Sequence, residues 1–315
     1  MTTETDTPRP VHDIRPGPDH PLLAPAAAEL PPPTESVPGV VEVFAPSGDA
    51  APLVLDSPHS GIAYPPEFDF VCDFPRLREA EDTHVDLLVG SAPRLGATLV
   101  RALFPRSFID VNRSPEDLDA ALIEGAWPGP VEPSEKTRLG MGLIRRLSKP
   151  GEPIYNRRLG VAEVADRIER YWHPYHQRLE KVLDDTRLRF GSVWYLDCHS
   201  MPAIANAMAS DPGNARADFV LGDRDGTTCD PAFRDLVAET LRGFGYRVAV
   251  NDPYKGVELV RRHGRPADGR HALQLEINRR LYMDERTLEP VPHFADLRGH
   301  LATVIERSAA FTRSR

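Results

Sequence analysis

The chain has 315 residues, 41% hydrophobic and 27% charged, with a formal net charge of −9. That composition fits a globular protein of one large domain or two small ones, and a single domain of this length buries roughly three quarters of its unfolded surface. The acidic balance argues against nucleic-acid binding, which draws on a basic stripe to neutralise phosphates. No apolar run approaches a membrane span, and the N-terminus lacks a basic segment followed by an apolar stretch. Cys72, Cys198 and Cys229 are widely spaced and form no CxxC, which suits a reducing compartment, so the chain reads as cytoplasmic.

In chain order, residues 1–39 are dense in proline, with Pro31-Pro32-Pro33 in a row. Such a stretch cannot bury enough apolar surface to offset chain entropy and reads as an extended or disordered tail. Folding is expected to begin near Val40, leaving 40–315 as one domain. Leu53-Val54-Leu55 predicts a strand. Val85, Leu88, Val89 and Ala92 recur at helical spacing, with Gly96 as a stop, and Ala97–Leu103 predicts another strand. The segment 125–153, rich in Gly, Pro, Arg and Lys, reads as a long excursion of the lid or binding-loop kind. From Val161 to Phe190 one helical stripe runs through Ile168, Tyr171, Tyr175, Leu179, Val182 and Leu183, and Pro174 predicts a kink. The aromatics of Tyr171–His176 read as core.

Strands are then expected at Val193–Leu196, Phe219–Leu221 and Tyr246–Val250. A helix capped by Asp230, with Pro231 in its first turn, falls between the last two. His271–Arg279 alternates strictly, with Leu273, Leu275 and Ile277 on one face and Gln274, Glu276 and Asn278 on the other. A last helix spans about Phe294 to Phe311. Strands alternating with helices predict an α/β fold around a mostly parallel or mixed sheet.

Two of the strands end in chemistry. Leu53-Leu55 runs into Asp56-Ser57-Pro58-His59, and Val193-Leu196 into Asp197-Cys198-His199, so each brings a histidine to the rim where α/β sheets gather their ligands. Imidazoles from distant segments can bind a transition metal, and catalytic zinc takes three protein ligands. The plainer alternative is that each histidine bonds a turn. Likewise Glu81-Asp82 could merely complement a helix start, and Glu276 could be a strand carboxylate paired with Arg279. Cys198 is a poor nucleophile beside His199, because adjacent strand residues face opposite ways, and no GxSxG elbow occurs.

Taken in order, several blocks together carry a family resemblance. They are Asp56-Ser57-Pro58-His59-Ser60-Gly61, Glu81-Asp82-x-His84, Pro105-Arg106-x-x-Ile109-Asp110-Val111-Asn112-Arg113, Trp172-x-Pro174-Tyr175-His176, Asp197-x-His199-Ser200, Lys255-Gly256 and Leu273-Gln274-Leu275-Glu276. From about Leu53 to Tyr282 the chain resembles the N-formylglutamate amidohydrolases, a family similar in fold and site plan to zinc carboxypeptidases and aspartoacylases. The resemblance implies a three-layer α/β/α sandwich holding one Zn²⁺. His59 and His199 would be the imidazole ligands and Asp82 the carboxylate, with Glu81 as the alternative. Asp56 and Asp197 would either stand behind the ligands or be structural groups. Glu276 would be the general base, Arg106 the group facing the developing oxyanion, Asn112 and Arg113 the grip on the substrate carboxylate, and Arg261 a second carboxylate contact.

The expected reaction is zinc-dependent hydrolysis of a small N-acyl amino acid, with N-formyl-L-glutamate, giving L-glutamate and formate, as the leading substrate. A metallopeptidase or a deacylase for another acidic substrate is the runner-up, and a metal-free binding protein the third reading. Two departures bear on substrate choice: Val257 follows Lys255-Gly256 where a second glycine is common, and Met201-Pro202 follows His199-Ser200 where some members carry an arginine.

Overall fold

The computed structural model describes residues 30–205, 207 and 211–315. Its centre is a mixed sheet of β1 (Glu35–Val37), β2 (Val41–Phe44), β3 (Leu53–Ser57), β4 (Thr98–Ala102), β5 (Val193–Met201), β6 (Phe219–Gly222), β7 (Val248–Val250) and β8 (Arg270–Asn278). The spatial order is β1-β2-β4-β3-β5-β8-β6-β7. Strands β4, β3, β5 and β8 run parallel. The antiparallel pairings are β1 with β2, β2 with β4 and β6 with β8. All nine residues of β5 are buried, as expected of a strand covered on both faces.

Alternation along the strands sends side chains into two separate cores. On one face Val54, Val100, Val193, Tyr195 and Ala272 meet helices α1 (Val161–Arg167) and α2 (His173–Phe190) through Val164, Tyr175, Leu179 and Leu183. On the other, Leu55, Trp194, Leu196, Cys198, Leu273, Leu275 and Ile277 meet α3 (Pro231–Gly243) and α4 (Phe294–Arg313) through Phe233, Val237, Leu241, Leu301 and Ile305. The result is a three-layer α/β/α arrangement. Asp230 caps α3 by accepting from Ala232 N at 2.8 Å, with Pro231 supplying a preset φ behind it. Among the described residues no helix is long and apolar enough to cross a membrane.

Four expectations change. The fold starts before Val40, because Glu35–Val37 pairs with Val41–Val43 as an edge strand; residues 1–29 of the expected tail lie outside the described residues. The helix expected across Val85–Ala92 is a single turn, Val85–Leu88, then a 3-10 turn, Ala92–Leu95, that ends at Gly96 with φ +89°. Pro174, expected inside one continuous helix, stands instead in the first turn of α2. A π-helical stretch, Ile168–Trp172, joins α1 to α2 and widens the backbone ladder where the proline has no N–H to give. Finally, the excursion is not structureless: it holds a helical turn at Glu135–Arg138 and a ribbon of Leu147–Lys149 with Glu152–Pro153. Its Leu143 and Ile144 are buried in the first core. Those two apolar residues sit between glycines and arginines, too short a run to register as an element.

Candidate metal centre

The parallel strands deliver the site at their carboxyl ends. His59 lies two residues beyond β3, and His199 is the seventh residue of β5. The loop after His59 rests directly on the chain that leaves β4: a Cβ at Gly61 would stand 2.4 Å from both Leu103 C and Phe104 O, so only glycine allows this approach. Asp82 enters from the turn before Val85–Leu88, its backbone N–H bonding His59 O at 3.1 Å.

Three buried atoms converge there. His59 Nδ1 and His199 Nδ1 are 3.1 Å apart, and Asp82 Oδ2 is 3.1 Å from His199 Nδ1 and 3.3 Å from His59 Nδ1. Three lone-pair donors cannot all satisfy one another through shared protons at that spacing. A single cation can. With Zn–N and Zn–O bonds of about 2.0–2.1 Å in a tetrahedron, adjacent donors stand about 3.3–3.4 Å apart, which the triangle nearly matches. The rear of each ligand is also held as metal ligands are held. Asp110 Oδ1 lies 2.7 Å from His59 Nε2, and Asp197 Oδ1 lies 2.7 Å from His199 Nε2. Ser200 Oγ and Arg279 Nη2 donate to Asp82 Oδ1 at 3.1 and 3.2 Å, which leaves Oδ2 for the centre. These residues fit a zinc ion.

Charge explains the protonation states. Burial works to raise the Asp82 carboxyl, but bonds from His199 and His59 and the Arg106 guanidinium hold it well below the usual range. Asp110 is likewise held low against burial by Arg106 and His59. Burial and Arg106 lower His59, whereas Asp197 holds His199 well above an ordinary histidine despite burial. Glu276 is pushed up to about 7, chiefly by burial, with Asp82 adding to the effect and His199 opposing it.

Glu276 is the cross-strand neighbour of His199, and its Oε1 accepts from Gln274 Nε2 at 2.8 Å. Arg279 pairs with Asp82 rather than with Glu276. Arg106 spends Nε and Nη2 on Asp110 Oδ2, at 3.1 and 2.7 Å, and holds Nη1 3.9 Å from Asp82 Oδ2. Asn112 stands with Nδ2 3.1 Å from His199 Nε2 and accepts from Leu259 N at 2.9 Å through Oδ1, which fixes the orientation of its amide. Arg113 donates to Met141 O at 3.2 Å and is held from behind, because Trp172 Nε1 donates to Arg113 O at 2.9 Å and His176 Nε2 lies 2.9 Å from Val111 O. The aromatics of Tyr171–His176 are therefore core in their rings and structural struts at their polar tips.

Three residues stand apart from the centre. Glu81 points away from the centre, paired with Arg78 and accepting from Tyr64, so Asp82 is the acid that converges. Arg261 is 55% exposed and pairs with Glu258 at 2.6 Å on its own short helix, so the structure does not bring it into the cluster. Asp56 does not stand behind a histidine; it accepts from Tyr175 OH at 2.5 Å. Asp110 occupies the place expected of it. Asp110, Ser200 and Arg279 were missed as supports, although all three fall inside or beside the motif blocks. Cys198 faces the apolar core, opposite His199, and burial pushes its thiol well up.

A mixed α/β sheet that gathers two carboxylate-backed imidazoles, a buried aspartate and a glutamate poised near neutrality has the plan of an amide hydrolase. Residues 51–283 match the family model for N-formylglutamate amidohydrolase. The chain is 31% identical over 266 residues to an N-formylglutamate deformylase of Pseudomonas putida, covering 81% of this chain and 90% of that protein. It is 30% identical over 274 residues to an N-formylglutamate deformylase of Pseudomonas aeruginosa, covering 84% and 95%. The crystal structure of N-formylglutamate amidohydrolase from Ralstonia eutropha matches with a TM-score of 0.84 at 50% identity, over 88% of this chain and 99% of that one. The chain belongs to the N-formylglutamate amidohydrolase family.

Proposed function

We propose that this chain is a zinc-dependent deformylase that converts N-formyl-L-glutamate and water to L-glutamate and formate. The relatives named above support the substrate, and one geometric observation carries the chemistry: His59 Nδ1, His199 Nδ1 and Asp82 Oδ2 meet within 3.3 Å, with Glu276 on the adjoining strand. Those three residues would hold the ion. When bound, zinc supplies Lewis acidity, polarising an oxygen at the reacting centre by several kcal/mol.

The chain's own groups do the rest. Glu276 takes a proton from water as its oxygen bonds the formyl carbon, then gives that proton to the glutamate nitrogen as the C–N bond breaks. A carboxyl near neutrality suits both directions of transfer. Arg106, with Nη1 turned toward the centre and its other nitrogens anchored on Asp110, donates to the carbonyl oxygen as negative charge gathers on it. Arg113 takes the substrate α-carboxylate, where a planar guanidinium offers a bidentate fit. Asn112, fixed through Oδ1 by Leu259 N, offers Nδ2 beside Arg113 to the same carboxylate.

Glutamate release from N-formyl-L-glutamate, measured beside elemental analysis of the same protein, tests this. The expected result is one zinc per chain, turnover lost on chelation and turnover restored by zinc. Zinc-replete protein that releases no glutamate overturns the substrate, and full turnover in stripped protein overturns the metal.

A further inference from the structure

The excursion expected to act as a binding loop carries a cation with no counter-charge. Residues 141–145 fold back so that Met141 and Arg145 are bridge partners. Leu143 O accepts from Asp110 N at 2.8 Å, and Met141 O accepts from Arg113 Nε at 3.2 Å. The turn is thus docked on the same segment that supports His59 and carries Arg113. Arg145 is 8% exposed. Among the described residues its guanidinium has no ion pair and no hydrogen bond, and its Nε is buried without a partner.

Other buried arginines nearby are neutralised: Arg106 by Asp110, Arg279 by Asp82, Arg78 by Glu81 and Arg216 by Asp211. Burying a charge without its opposite is costly, and surrounding structure normally supplies one. Burial first, then Arg106 and Arg113, bring Arg145 down to about 9 against the pull of Asp110 and Asp82, carboxylates already bonded to other partners, which still leaves it protonated at neutral pH. A cation kept in such company lacks an anion that the protein itself does not provide.

We propose that Arg145 receives the side-chain carboxylate of the substrate and so selects dicarboxylic N-formyl amino acids over neutral ones. The inference rests on the proposed deformylase function. A substrate with two carboxylates presents one beside the formamide nitrogen and one further out. Arg113 is next in the chain to Asn112, which touches His199, and is assigned the near one; Arg145, in the flanking turn, meets the far one.

The test uses the full-length zinc-loaded protein and its Arg145→Gln and Arg145→Lys variants. Steady-state rates are measured on N-formyl-L-glutamate and on N-formyl-L-glutamine, which keeps the shape but lacks the outer charge. Calorimetric affinities for L-glutamate and L-glutamine accompany them. Arg145→Gln should lower kcat/KM for N-formyl-L-glutamate by about 10²-fold, mainly through KM, and change the glutamine substrate by less than about threefold. Arg145→Lys should recover part of the loss. Glutamate affinity should fall in parallel while glutamine affinity holds, and the unfolding midpoint should stay level or rise, because an unpaired buried charge has been removed. Equal loss on both substrates, no loss on either, or a lowered midpoint overturns the assignment. If the wild-type protein turns over neither substrate, the deformylase reading fails, and the affinity pair still decides Arg145: a glutamate preference that survives Arg145→Gln, or that the wild type lacks, overturns it.

Discussion

Strand β5 is buried along its whole length, and its two faces meet different surroundings. Trp194, Leu196 and Cys198 enter an apolar core beneath α3 and α4. Tyr195, Asp197 and His199 enter a polar layer that includes Asp56, Gln274 and Glu276 from the neighbouring strands, in register. On the first face a side chain matters in proportion to the apolar area it removes from water. On the second it matters through its partners, since a buried carboxylate or imidazole left alone costs far more than a methyl group. Asp56 and Asp197 are register neighbours, and burial, together with the Asp197 charge, pushes the Asp56 carboxyl well up. The hydroxyl of Tyr175 on Asp56 compensates part of that cost. Both faces carry an apolar core, but toward the carboxyl end of β5 one face stays apolar while the other turns to reactive groups.

Substitutions on the two faces should separate these roles. The largest effect is expected from His59→Ala, which should remove stoichiometric zinc and lower turnover by about 10⁴-fold or more. Asp110 keeps Arg106 and the Asn112 N–H, so metal-free variant and metal-free wild type should unfold at similar temperatures. Elemental analysis and calorimetry check this; full zinc occupancy in the variant would return His59 to a turn-bonding role.

Next comes Glu276→Gln, which should keep zinc and lower kcat by roughly 10²–10⁴-fold. A base must be deprotonated, so wild-type activity should rise with pH along a limb at or below about 7, the bound cation drawing the burial-raised carboxyl down. The glutamine variant should lack that limb in its pH–rate profile. Wild-type activity that instead falls across this window is incompatible with the base role.

Leu275→Ala works on the opposite face of the same strand. It should cost about 2–5 kcal/mol in unfolding free energy while leaving kcat of the folded protein unchanged, read by denaturant titration beside kinetics. A variant as stable as wild type but catalytically impaired would show that the faces are coupled. Smallest is Tyr175→Phe, which removes the hydroxyl from Asp56 and should cost about 1–3 kcal/mol with little change in kcat.

Much of the site was legible because strand alternation is strict. Alternation set His199 opposite Cys198 and Glu276 opposite Leu275, as the cores now show; the strand register then brings His199 and Glu276 side by side. Helix ends were legible for a similar local reason, since Asp230 and Pro231 satisfy and preset the first turn without help from elsewhere. The directions of Arg261 and Glu81 were not legible, because a residue type and a neighbouring motif do not determine direction: a three-residue spacing offered Arg261 a carboxylate at Glu258 and Glu81 a guanidinium at Arg78.

By itself the sequence determined the central strands, their faces and the family, because those depend on periodicity and on residues close together in the chain. Only the tertiary structure decided which acid meets the two imidazoles, which carboxylate stands behind each of them, and that Arg145 is left without an anion. Apart from Asp197, which precedes His199 by two residues, the acid and carboxylate contacts join residues 23 to 117 apart, settled by which partner lies nearest once the sheet and its loops have closed.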